Sequence, residues 1–193
     1  MQKDKKLEIT KEKLLQATAE LMEEAKDPME VTSRQIASRT DVKPSMINYC
    51  FGSRESLLHQ VFHRKYEAFL KEQGVEEILA ADLSPKETLK RLHFIVIKSL
   101  LSNYKLTKAI TSHVLFRRDL GEESFSYPFV VRHYGGTKSD VECRLIAYEL
   151  STMMQLIVYR KDDIKRDFGL DLENDEELQR FLDMRFDLLM REI

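Results

Sequence analysis

Thr32-Ser33-Arg34-Gln35-Ile36-Ala37-Ser38-Arg39-Thr40-Asp41-Val42-Lys43-Pro44-Ser45-Met46-Ile47-Asn48-Tyr49-Cys50-Phe51-Gly52-Ser53-Arg54 is the stretch that decides the fold. Thr32 is a favoured N-cap ahead of a short helix, Ser33–Thr40, whose buried face is Ile36 and Ala37. Asp41-Val42-Lys43 reads as a tight turn, and Pro44 suits the first position of another helix, where its missing N–H costs nothing. That helix is very short and ends near Phe51-Gly52, after which Ser53 caps a longer one. Two short helices joined this tightly meet the geometry of a DNA-reading head. One helix enters the major groove, the other braces it, and the short connection fixes the angle between them.

The flanks supply what such a head needs to fold. Upstream, Leu14, Thr18, Leu21, Met22 and Ala25 share a helical face, which predicts a helix from about Thr10 to Ala25, ended by Asp27-Pro28. Downstream, Leu57, Leu58, Val61, Phe62, Tyr66 and Phe69 form the apolar stripe of the fourth helix. Ile36, Ala37, Val42 and Ile47 point inward, and Leu14, Leu21 and Phe62 complete a small core. Lys3, Lys5 and Lys6 precede it in a polar tail, read as a disordered, solubilising segment rather than one that follows a DNA backbone.

Beyond Gly74 the helices lengthen. Ser84-Pro85-Lys86-Glu87 has the form of a capping box and opens a helix to about Lys105. This helix is apolar nearly all round from Leu92 to Leu101, so it belongs at the centre of a body. A helix is expected over Leu106–Phe116, a short one around Phe129 within the less regular Gly121–Gly136, and another from the capping box Ser139–Glu142 to about Arg160. Asp171 to Asp175 forms the acidic start of a last helix ending near Arg191. The expected fold is all-α, with a three-helix head over residues 1–52, a connecting helix over 53–73 and a larger helical body over 74–193.

The stretch resembles the TetR family of bacterial regulators. Val31-Thr32-Ser33-Arg34-Gln35-Ile36-Ala37, then Val42, then Ile47-Asn48-Tyr49-Cys50-Phe51-Gly52-Ser53-Arg54-Glu55-Ser56-Leu57-Leu58 follow that family's pattern, and with the first helix the likeness covers about residues 10–62. Phe168-Gly169-Leu170-Asp171, Phe181-Leu182-Asp183 and Asp187-Leu188-Leu189 give a weaker likeness near the end. Four positions depart from the pattern: Asp41 and Ser45 stand where glycine is common, Asn48 where a tyrosine is, and Cys50 where a histidine is. Asp41 tolerates a left-handed backbone better than most residues. The other three make the operator sequence hard to borrow from relatives.

The resemblance implies a homodimeric repressor, released from palindromic operator DNA by a small-molecule effector; the two widely separated cysteines, Cys50 and Cys143, point to a reducing cytoplasm as its setting. The resemblance also implies that Thr32 caps its helix and touches a phosphate and that Arg34 reaches backbone or base. Lys43, Pro44 and Ser45 would form the leading end of the recognition helix. Asn48 would read adenine through its amide, Tyr49 would contact a phosphate, and Arg54 stands at a common phosphate-binding lysine. For the body, Phe94, Asn103, Tyr104, His113, Phe116, Tyr148 and Met154 mix apolar bulk with polar groups as an effector cavity does. Leu145, Leu150, Met153, Ile157, Leu178, Phe181, Leu182 and Leu189 supply a four-helix dimer interface, half of them serving the protomer's own core.

Composition bounds these expectations. Glycine (6) and proline (4) are scarce against 33% charged residues, which favours helices over a turn-rich β architecture. The longest apolar stretch, Leu92–Leu101, carries His93 and Lys98 and is far short of the ~20 residues of a membrane span. No apolar run follows Met1-Gln2-Lys3-Asp4-Lys5-Lys6, so no secretory signal is read. Cys50 and Cys143 stand far apart, which argues against a disulfide framework and gives no thiol pair for sensing. His59 and His63 have metal-binding spacing but no evident third ligand, so no metal or other cofactor is expected. Residues 1–66 hold 12 Lys/Arg against 10 Asp/Glu, so the net −2 conceals a mildly basic head. An enzyme is the rival class, since a helical body can hide carboxylates. The sequence nevertheless has no phosphate-cradling glycine loop, HExxH or GxSxG. A protein-interaction scaffold is the third.

Overall fold

The computed structural model describes residues 2–117 and 124–191, without the side chains of residues 2–4, 70, 109, 110, 112–114 and 117. The described residues form eleven α-helices and one 3-10 turn, with no strand. The all-α expectation therefore holds. Contacts divide the chain into two compact units, Met1–Ala68 and Phe69–Ile193, with the boundary inside a helix.

The first unit contains α1 (Gln2–Glu24), the 3-10 turn Pro28–Glu30, α2 (Ser33–Thr40), α3 (Ser45–Phe51) and most of α4 (Arg54–Glu72). Leu14, Ile36, Ile47, Leu57 and Leu58 are completely buried and form its centre, with Val31 and Val61 beside them. Phe62 is only half-buried and stacks on Tyr66, while Leu58 and Val61 take the inner positions of α4. The polar tail is not disordered. Helix α1 begins at Gln2, eight residues before the expected Thr10, and Thr10 Oγ1 donates to the Lys6 carbonyl at 2.9 Å. No glycine or proline interrupts the segment, and the Lys11–Glu8 pair at 2.9 Å sits one turn apart on its surface. The helix stops before Asp27-Pro28, where the Asp27 carboxylate accepts from the Met29 N–H at 2.8 Å.

The second unit contains α5 (Val75–Ala80), α6 (Pro85–Ser102), α7 (Tyr104–Arg117), α8 (Tyr127–Tyr134), α9 (Asp140–Tyr159), α10 (Lys161–Phe168) and α11 (Asp175–Leu189). As its all-round apolar pattern predicts, α6 is central and contacts α5, α7, α8, α9 and α11. Leu89, Leu92, Ile95, Val96, Ile97 and Leu100 bury its several faces. Ser139 and Glu142 make the reciprocal capping box expected of them. The Ser84 box is one-sided: Ser84 Oγ accepts from the Glu87 N–H at 3.2 Å, but the Glu87 carboxylate turns to Lys90 and Arg91. Two nearby cations outcompete a single backbone N–H for that carboxylate.

Helices α6 and α11 run antiparallel, joined by Lys86–Asp187 at 2.7 Å, Lys90–Asp183 at 2.8 Å and Lys98–Asp175 at 2.6 Å. Each step of four or eight residues along α6 is answered by an equal step back along α11, so the charges keep one register. Beneath them Phe186, Leu182 and Leu178 are buried to 2% exposure or less. No described helix is long and apolar enough to cross a membrane.

Candidate nucleic-acid interface and the helical body

The Thr32–Arg54 stretch folds as a helix, a tight turn and a second helix. Thr32 caps α2 in a full box: the Gln35 N–H donates to Thr32 Oγ1 at 3.3 Å, and the Thr32 N–H donates to Gln35 Oε1 at 2.8 Å. The sequence reading recognised Thr32 but not the return bond from Gln35. Asp41 closes α2 in the left-handed region, at φ +54°, with its N–H on the Ala37 carbonyl. An aspartate thus does at this turn what a glycine would do without steric cost. Pro44 adopts helical angles immediately before α3.

Ile47 and Phe51, four residues apart, hold α3 against the core. The opposite face leaves Ser45, Asn48 and Tyr49 exposed, with Tyr49 at 68%. Lys43 and Pro44 are exposed just before it, as are Thr32 and Arg34 on the bracing helix. Seven of the eight expected DNA contacts are therefore open to solvent. Arg39, not singled out from sequence, binds Glu24 through two bonds of 2.9 and 2.8 Å and fixes α2 to α1. That pairing holds the Glu24 carboxyl below its usual range.

Arg54 is different. Its Nη1 donates to the carbonyls of Met29 at 2.7 Å and Val31 at 2.9 Å, while Nε and Nη2 hold Glu55 at 3.0 and 2.7 Å. Four of the five guanidinium N–H groups are thus committed, two of them to ordering the chain that leads into α2. Cys50 is half-buried near Lys11 and Glu8, and burial pushes its thiol up, with Lys11 opposing and Glu8 assisting. A thiol held protonated is a poor nucleophile. His63 pairs with Glu67 across one turn at 3.3 Å. Among the described residues no group of three His, Cys, Asp or Glu is placed to hold a metal ion.

The body separates its expected effector residues. Asn103 caps α6, its amide donating to Ser99 O and Ser102 Oγ, both at 3.2 Å. Tyr104 Oη donates to Asp162 and to the Tyr159 carbonyl at 3.3 Å, and burial followed by Asp162 raises its pKa. Phe94 is half-buried, Tyr148 is exposed, and Phe116 is 83% exposed. The side chain of His113 lies outside the described residues. Met154 is buried and lines a cleft between α6, α9 and α11, with Leu150, Met153, Phe181 and Leu182 as further walls. His93 and Arg185 are the polar members of its lining. His93 is buried, with Nε2 3.0 Å from Ser126 Oγ, and burial, aided by the Arg185 charge, lowers its pKa to about 3.

The expected dimer residues divide. Leu150, Ile157, Leu178 and Leu182 are buried within the unit, and Met153, Phe181 and Leu189 are half-buried. Leu145 is exposed on an open stripe of α9 with Val141, Tyr148, Leu156 and Tyr159, and α11 exposes Met184 and Leu188. Sequence periodicity finds apolar positions on such helices but cannot say which of two apolar faces turns inward. The chain matches no protein-family model and no curated protein.

Proposed function

We propose that the chain is a sequence-specific DNA-binding transcriptional regulator of the TetR kind, a homodimer released from a palindromic operator by a small molecule. The observation that carries this reading is the two-sidedness of α3. Ile47 and Phe51 lock one face into the head, while Ser45, Asn48 and Tyr49 stand open on the other. A helix braced in this way and faced with an amide, a hydroxyl and a phenol suits a major groove, because an Asn amide matches the adjacent donor and acceptor of adenine. Dimerisation is supported by the open stripes of α9 and α11, since contiguous exposed apolar side chains mark an interaction surface.

Selection of bound sequences from random DNA, followed by binding isotherms over a range of salt, tests the reading. The expected result is a palindromic motif and an affinity that falls linearly with log salt, as phosphate contacts release counterions. Half-site centres one helical turn apart, or a multiple of it, are expected for a two-fold reader. Recovery of no motif, together with no binding to the chain's own upstream intergenic DNA at low salt, overturns it.

A further inference from the structure

The cleft between α6, α9 and α11 contains an unanswered charge. Arg185 lines it half-buried and has no hydrogen bond or ion pair among the described residues. Every other half-buried Lys or Arg among the described residues is paired: in the second unit Lys86 with Asp187, Lys90 with Asp183, Lys98 with Asp175, Lys138 with Glu142 and Lys161 with Glu173, and in the first Lys11, Arg54 and Lys65 with glutamates. Burial lowers the Arg185 pKa, and the one acid that opposes this, Glu149, is exposed and beyond ion-pair distance. A partly desolvated guanidinium with no partner among the described residues gains more from a bound anion than a fully solvated one does.

The remaining walls define the anion. Ile97, Leu150, Met153 and Phe181 are apolar, and the neighbouring His93 is neutral near pH 7, so it adds no second positive charge. One cation beside an apolar lining favours a monoanion with a hydrocarbon body over a phosphate dianion. The cleft now has free space of about 10 Å³, the room of a single water. A ligand must therefore displace side chains, and unbranched Met153 and Met154 are the ones that repack at least cost.

We propose that this cleft is the effector site and takes a small amphipathic monocarboxylate, its carboxylate on Arg185 and its apolar part among Met153, Met154 and Phe181. The proposal rests on the reading of the body as an effector-sensing unit and names the class of effector. The cleft lies between the two helices that carry the open apolar stripes, so occupancy acts directly on α9 and α11.

Isothermal titration of the full chain, without DNA, compares octanoate and phenylacetate with the uncharged octanol and 2-phenylethanol. At least one acid is expected to bind at least about tenfold more tightly than its alcohol. Arg185→Met should abolish that preference, and Arg180→Gln, an exposed position on the same helix, should leave it intact. Removing a half-buried charge that no described acid pairs should not lower the ligand-free Tm. Equal binding of acid and alcohol overturns the proposal, as does an unchanged preference in Arg185→Met, or no acid binding at about 10 mM. A fall in the ligand-free Tm of Arg185→Met also overturns it, because the guanidinium would then already be satisfied. The acid-against-alcohol comparison on the unaltered chain needs no variant to fold. Because no DNA is present, failure here leaves the reading of the head standing, and failure of the head's DNA test leaves this result standing.

Discussion

Arg54 and Asn48 both occupy positions where the TetR pattern places DNA contacts, yet their surroundings differ. Arg54 ties the Met29 and Val31 carbonyls and Glu55 together, so Arg54→Ala leaves acceptors unpaired and should lower unfolding free energy by roughly 1–3 kcal/mol. Chemical denaturation measures this; an unchanged midpoint with weakened DNA binding would return Arg54 to a phosphate-contacting role. Asn48 is exposed, so Asn48→Ala should leave the midpoint alone and cost about 1–3 kcal/mol in discrimination against a changed operator base. His93 makes a third prediction. The unfolded imidazole takes up a proton below about pH 6.5, whereas the folded one resists until about 3, so stability present above 6.5 is lost as pH falls. The slope approaches about 1.4 kcal/mol per pH unit, and His93→Gln should flatten it between pH 6.5 and 4.5, before most carboxylates titrate. Equal slopes in wild type and variant would show that His93 protonates without opposition.

At the scale of the element, helix starts that carry a side-chain cap were among the most legible parts of the sequence. Thr32, Ser53 and Ser139 cap the helices assigned to them because a cap is decided by neighbours within three residues. The same locality makes Asp41 testable. Asp41→Gly should keep or raise Tm, whereas Asp41→Val, with a β-branch at φ +54°, should cost about 1–2 kcal/mol in thermal or denaturant unfolding. Helices α5 and α10 were illegible. Apart from Ile164 and Phe168, α10 is charged, and ion pairs such as Lys161–Glu173 and Lys165–Asp171 hold it in place, so it has no apolar period to read. The structural bonds of Arg54 were illegible for a related reason: its carbonyl partners lie more than twenty residues away, and nothing local announces them. Tyr148 and Phe116 read as cavity residues because an aromatic on an apolar helix looks the same whichever way it turns.

For the whole molecule, the open faces of α9 and α11 give the decisive prediction. Leu145→Glu combined with Met184→Glu puts charge into both stripes, at residues exposed in the single chain, so folding should survive. If the wild type is the dimer proposed, analytical ultracentrifugation should then find a monomer for the variant, and affinity for a palindrome should fall toward that of a half-site. A double variant that sediments as wild type would place self-association elsewhere. The chain-wide division into two compact units also means that thermal unfolding need not be one transition, and calorimetry can count them.

The lysine–aspartate ladder between α6 and α11 limits how this sequence can change in length. Each residue of an α-helix turns the next by about 100°, so a single insertion between Lys90 and Lys98 rotates one end of α6 away from its acids and its buried face away from the core. Two antiparallel helices pinned at three points tolerate no such slip. Insertions and deletions among descendants of this sequence should therefore collect in the connections between helices, and the spacing of Lys86, Lys90 and Lys98 should survive even where their identities change.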